Sequence, residues 1–159
     1  MIDDIDRKIL NILQENAKTP NVTIARKVGM APSAILERIR KLEERGVISA
    51  YEAKLDPEAL RLGLAAFVFV RADEKVGGID TAKQLAKIPH VQEVHHIAGE
   101  DCYLVKLRAQ DTQELARLMR EQFGKINTIK STRTTIVFET IKETGKLPLS
   151  ESVAKTTDV

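Results

Sequence analysis

Apolar residues recur at helical spacing three times within the first 45 positions. Ile5, Ile9, Ile12 and Leu13 mark one face of residues 3–16, with Asp3, Asp4 and Asp6 placed where a helix N-terminus favours negative charge. Thr19-Pro20-Asn21 breaks that helix and supplies a start for the next. Ile24, Val28, Met30, Ile35, Ile39 and Leu42 then seat two more helices on a shared core. Ala25 is small where the two must cross closely, and Gly29 sits where the turn between them requires a left-handed residue. Pro32 suits the first turn of the third helix, although Ala31 before it is a poor cap. The stretch 46–55 (GVISAYEAKL) alternates like a strand pair or wing, returning Val47 and Ile48 to the core.

The rhythm changes after Leu62-Gly63. Residues 64–72 (LAAFVFVRA) read as a strongly apolar strand, 79–88 as a helix, 91–97 (VQEVHHI) as a strand. A tight turn at Gly99-Glu100-Asp101 leads into CYLVKLRA, then a helix over 112–123 and a long last strand from Ile129. The order β-α-β-β-α-β is that of a ferredoxin-like split motif, an antiparallel sheet with both helices on one face. The other face has no helix to cover it, and a second copy is the economical cover. The predicted fold class is therefore α+β: an N-terminal winged helix-turn-helix plus a C-terminal ferredoxin-like βαββαβ domain. The expected division is residues 1–62, residues 63–142, and a flexible tail over 143–159.

Within residues 21–48 the layout is that of a DNA-binding helix-turn-helix, whose second helix enters the major groove. At about 100° per residue, Ser33, Glu37, Arg40, Lys41 and Glu44 oppose the core face, with Ala34 and Arg38 on a flank. Such side chains pair with base edges and phosphates. An ordinary amphipathic helix with a solvated charged face presents the same outward residues, but it leaves the Ala25–Gly29 spacing and the trailing Gly46-Val47-Ile48 unexplained. The expected DNA-contacting set is Arg26, Lys27, Pro32, Ser33, Ala34, Glu37, Arg38, Arg40 and Lys41.

Bulk charge adds little, since the formal net charge is only +2. Residues 22–48 differ, with six basic against three acidic side chains. Charge this local suits the docking of one helix, and a patch so weak implies that several copies act together. No apolar run approaches the roughly 20 residues that span a bilayer. The N-terminus does not read as a secretory signal, and the single cysteine, Cys102, suits a reducing cytoplasm. His90, His95 and His96 lie close together, but adjacent His95 and His96 point to opposite faces of a strand, so neither a metal nor a cofactor is expected.

The runs DRKILNILQENA, IARKVGMAPSAILERIRKLEERGVI and GEDCYLV resemble the leucine-responsive/asparagine (Lrp/AsnC) family of prokaryotic transcription regulators over about residues 2–142. The resemblance implies double-stranded DNA as partner, and homodimers that assemble into tetramers, octamers or larger rings. It also implies a small effector, an amino acid, bound near the Gly99–Asp101 loop and Tyr103. The residues themselves support that pocket less firmly. Asp101 can receive an amino group, and Gly99, Glu100, Thr132, Thr134 and Thr135 add polar groups, yet any antiparallel sheet needs a polar hairpin turn. Two other readings stay open. One is an enzyme of the same architecture, resembling the siroheme decarboxylases, with His95, His96 and Arg133 on an acidic tetrapyrrole. The other is an effector-free DNA-compacting protein. No P-loop, Gly-rich dinucleotide turn or Ser/His/Asp arrangement is evident.

Overall fold

The computed structural model describes residues 2–75 and 77–150, which fall into two compact units. The first comprises residues up to Lys54 together with those from Glu143, and the second runs from Leu55 to Lys142.

In the first unit, α1 (Asp4–Glu15) begins with a capping box. The Asp6 amide donates to Asp3 Oδ1 at 2.8 Å, and the Asp3 amide donates to Asp6 Oδ2 at 3.2 Å, so two of the orphan donors of the first turn are satisfied. α2 (Asn21–Val28) ends at Gly29, whose φ of +77° is the left-handed C-cap that the sequence calls for. α3 (Pro32–Glu44) follows after two residues. Ile9, Ile24, Ala25, Ile35 and Ile39 form the core, with Ile5, Ile12, Leu13, Val28, Met30 and Ile48 packed around it. Each fully buried branched side chain contributes about 1.5–3 kcal/mol.

Two expectations change here. The wing does not form: residues 46–55 contain no strand, and Tyr51 instead donates its hydroxyl to Glu43 at 2.8 Å. A strand needs a ladder partner, and alternation alone supplies none. The boundary also moves, to Lys54/Leu55 rather than 62/63. The segment expected to be a flexible tail belongs in part to this unit, where residues 146–150 lie along α1 through hydrogen bonds from Arg7, Asn11 and Gln14. The remainder, residues 151–159, lies outside the described residues.

The second unit has the expected element order: β1 (Leu64–Ala72), α4 (Asp80–Leu85), β2 (Val91–His96), β3 (Tyr103–Ala109), α5 (Thr112–Glu121), a 3-10 turn (Phe123–Lys125) and β4 (Ile129–Ile136). The sheet order is β2-β3-β1-β4 with every neighbouring pair antiparallel. Ala66, Val68 and Val70 of β1 and Tyr103, Val105 and Leu107 of β3 pack on Leu85, Ile88, Leu115, Leu118, Phe123 and Ile126, which places the core between the sheet and the helices. α5 is capped by Asp111, which accepts from the Glu114 amide at 2.8 Å.

One polar network is built into this core. Glu74 Oε1 accepts from the Thr81 amide at 2.5 Å and from the Thr81 hydroxyl at 2.6 Å, while Glu74 Oε2 accepts from Tyr103 at 2.6 Å. The Thr81 and Thr128 hydroxyls lie 2.6 Å apart. Burial pushes the Glu74 carboxyl up, but the Thr81 and Tyr103 donors outweigh it and hold the pKa below the ordinary value. Tyr103 is pushed up to about 12, by burial first and then by its hydrogen bond to the Glu74 carboxylate.

Candidate functional site

The outer surface of α3 is a single stripe. Ile35, Ile39 and Leu42 turn inward, which leaves Ser33, Leu36, Glu37, Arg40 and Glu44 at spacings of three and four residues on the opposite side. Pro32, Ser33, Arg40 and Lys41 are exposed, and Ala34 and Glu37 are half-buried. The α3 N-terminus has no side-chain cap; Pro32 brings no N–H, and the Ala34 and Ile35 amides donate to Ala31 O at 3.0 and 3.2 Å. Arg40 Nη2 lies 3.1 Å from Glu37 Oε1, with Glu44 at 3.7 Å from Arg40 Nε and Lys41 Nζ 3.5 Å from Glu37. The Arg40 guanidinium holds the Glu37 carboxyl below its ordinary range, and Lys41 adds to that. These pairs are exposed and screened by water, so a phosphate displaces them cheaply. Arg26 and Lys27 are exposed in the last turn of α2.

Two residues of this surface differ from expectation. Arg38 is engaged within the domain: its Nη1 reaches Asp6 Oδ1 at 2.7 Å and Asp3 Oδ2 at 2.8 Å, so it clasps α3 to the capping box of α1. Leu36 adds an apolar member to the expected polar set. It is 57% exposed within the outward stripe, and an apolar residue bracketed by Ser33, Glu37 and Arg40 was the signal available in the sequence.

In the second unit the sheet separates the proposed effector residues. Thr132 and Thr134 stand opposite Val70 and Val68, and Val70 is opposite Tyr103. All three therefore lie on the helix-covered face. Tyr103 is 1% exposed, its hydroxyl is committed to Glu74, and its ring lies 5.1 Å from His96. It is packed as a core residue. Asp101 pairs instead with Arg133, at 3.1 Å, and Arg133 stacks its guanidinium 4.0 Å from the Phe69 ring centroid. Thr135 stands opposite Phe67 on that same uncovered face. The Asp101 loop is a hairpin closed by the Ile97 amide donating to Cys102 O at 3.0 Å, with Gly99 at φ +125° and Glu100 exposed at its tip.

His95 stands opposite Leu104 and bonds Glu93 at 3.0 Å, whereas His96 stands opposite Tyr103. His95 and Arg133 thus share one face and His96 the other, so the three do not converge on one ligand. Among the described residues no cluster of three metal-ligating side chains occurs, and no helix is long and apolar enough to cross a membrane.

A three-helix module with an outward polar stripe and exposed Arg26, Lys27, Arg40 and Lys41, joined to a βαββαβ domain carrying a charged hairpin, defines a helix-turn-helix DNA-binding protein with a second domain. The AsnC-type helix-turn-helix domain model matches residues 2–43, and the Lrp/AsnC ligand binding domain model matches residues 65–147. The HTH-type transcriptional regulator FL11 of Pyrococcus horikoshii is 41% identical over 149 residues, covering 93% of this chain and 97% of its own. The leucine-responsive regulatory protein of Escherichia coli K12 is 35% identical, covering 92% and 90%. A transcriptional regulator of Neisseria meningitidis, solved in complex with L-methionine, superposes with a TM-score of 0.88 at 32% identity over 94% of this chain and 97% of its own. This chain belongs to the Lrp/AsnC family of transcriptional regulators.

Proposed function

We propose that the protein contacts DNA through the outward stripe of α3 and responds to an amino acid bound at the Asp101 hairpin. The observation that carries the first part is the outward stripe of Ser33, Leu36, Glu37 and Arg40 on α3, with Lys41 exposed beside it. Arg40 and Lys41 supply phosphate or base contacts, Arg26 and Lys27 hold backbone phosphates, and Pro32, Ser33, Ala34 and Glu37 approach base edges. Leu36 joins this set as an apolar contact for a thymine methyl. Paired helices of a dimer, about 34 Å apart, match successive major grooves.

Support for the amino-acid part is the Asp101–Arg133 pair. An acid and a guanidinium side by side on an open face complement the ammonium and carboxylate of a zwitterion, and the Neisseria relative is crystallised with L-methionine. The uncovered sheet face, with Phe67, Phe69 and Leu104 at its centre, supports a homodimer that assembles further into tetramers, octamers or larger rings. We propose no enzymatic activity and a cytoplasmic location. Titration of the purified protein into its own upstream region and a random duplex, at two salt concentrations and with a panel of amino acids, tests this. Preference for the upstream duplex, a steep salt dependence and a shift with one amino acid are expected. Absence of binding at low salt refutes it.

A further inference from the structure

The segment after Glu143 makes a set of contacts that DNA recognition leaves unused. Arg7, Asn11 and Gln14, at positions i, i+4 and i+7, share one face of α1. Gln14 Nε2 donates to Leu147 O at 3.1 Å, Asn11 Nδ2 to Leu149 O at 3.1 Å, and Arg7 Nη1 to Ser150 O at 3.3 Å. The Leu147 amide donates back to Gln14 Oε1 at 2.7 Å, and Lys146 Nζ lies 2.9 Å from Glu15 Oε2. Lys54 Nζ donates to Glu143 O at 3.2 Å. The segment therefore runs antiparallel to α1, and α1 reads mostly its backbone.

The spacing explains why the two match. Seven helical residues rise about 10 Å, and three steps of extended chain, Leu147 to Ser150, cover about 10 Å. Each turn of α1 thus meets a carbonyl in register. Pro148 holds Leu147 extended and brings no amide that would be left unpaired. Leu149 is half-buried while its neighbours are exposed. The family's ligand-binding domain extends to residue 147, yet its last residues are bound to the DNA-binding unit.

We propose that the Arg7–Asn11–Gln14 face of α1 is a docking surface for this chain's own Lys146–Ser150, and that the docked strap is a second tether between the two units. The first tether is the Lys54–Leu55 connection. Without the strap a single chain crossing joins the units; with it seated, two do. Because the strap is covalently linked, a high effective concentration keeps a modest set of hydrogen bonds populated.

Thiol cross-linking tests this in the full chain. In a Cys102→Ser background, Glu15→Cys and Lys146→Cys replace an exposed ion pair with two thiols, and a short bismaleimide spans the gap that the longer side chains filled. Rapid cross-linking is expected, with the product running as a single chain on a denaturing gel. Adding Gln14→Leu, which removes both bonds to Leu147, slows trapping by about tenfold, and Leu147→Pro, which removes the amide donor alone, slows it several-fold. Leu147→Ala retains the backbone groups and leaves the rate unchanged. Equal rates in all three variants, or a cross-link that joins two chains, would overturn the proposal. The readout is independent of DNA and of any effector, so it stands or falls apart from the function proposed above.

Discussion

Replacing Arg38 by alanine separates a clasp from a DNA contact. The guanidinium satisfies two carboxylates, one of them Asp6, whose side chain is only 9% exposed, while Arg38 itself is 29% exposed. Removing a partner from a fully buried pair costs about 3–5 kcal/mol, and from an exposed pair at most about 1. Asp6 keeps one internal hydrogen bond, from the Asp3 amide, and the site is partly wet. The loss therefore falls between those limits, at about 2 kcal/mol. For a unit this small that lowers the midpoint of thermal unfolding by roughly 10 °C. Denaturation followed by a probe in the first unit measures it. Salt-dependent DNA binding gives the second readout. A residue that neutralises a phosphate lowers the log–log salt slope by about 1 when removed, whereas a clasp lowers affinity through disorder of α3 and leaves the slope unchanged. Wild-type stability together with a slope reduced by one would refute the clasp and return Arg38 to the DNA surface.

Arg40→Ala combined with Lys41→Ala should weaken DNA binding by roughly ten- to a hundredfold and reduce the salt slope by about 2, with the oligomer unchanged in sedimentation. Leu36→Ala should lower discrimination against a thymine-to-uracil exchange in the duplex, worth about 1 kcal/mol or less for one methyl, with unchanged affinity for uracil-containing DNA. Asp101→Asn should abolish calorimetric binding of the amino acid that shifts DNA affinity while leaving the DNA affinity itself in place. The Asp3 carboxyl is held below its ordinary pKa by the Asp6 amide first and by Arg38 second. A carboxyl lowered on folding contributes stability that is present above its unfolded value, about 3.9, and is lost as pH falls through the folded value. The first unit should therefore destabilise below about pH 4, and Asp3→Asn should flatten that dependence in acid titrations.

The helix-turn-helix was legible because Ile24, Ile35, Ile39 and Leu42 obey a local period and Gly29 is the residue that a left-handed turn selects. The second domain was legible for the same reason, since its strands and helices change period at their boundaries. What escaped depends on pairing across distance. Arg38 looked like a free cation on a helix flank because its acids lie more than 30 positions away. The sequence groups Tyr103, Thr132 and Thr134 with Asp101, but register decides the face, and a one-residue difference in parity places a side chain on the other side of the sheet. Arg133, between those two threonines, is the residue that reaches Asp101. Residues 46–55 alternate correctly for a wing and find no partner strand.

The DNA-binding unit is sewn from both ends of the chain, with the whole second unit inserted between its parts. During synthesis α1–α3 emerge first and have their core complete, yet Arg7, Asn11 and Gln14 wait for carbonyls that lie 133 to 143 positions further along the chain. At about 5–20 residues per second that delay is roughly 7–30 s, the time in which the sheet domain is made. Translation thus imposes an order on maturation, in which the last contact of the first domain is made only after the second domain exists.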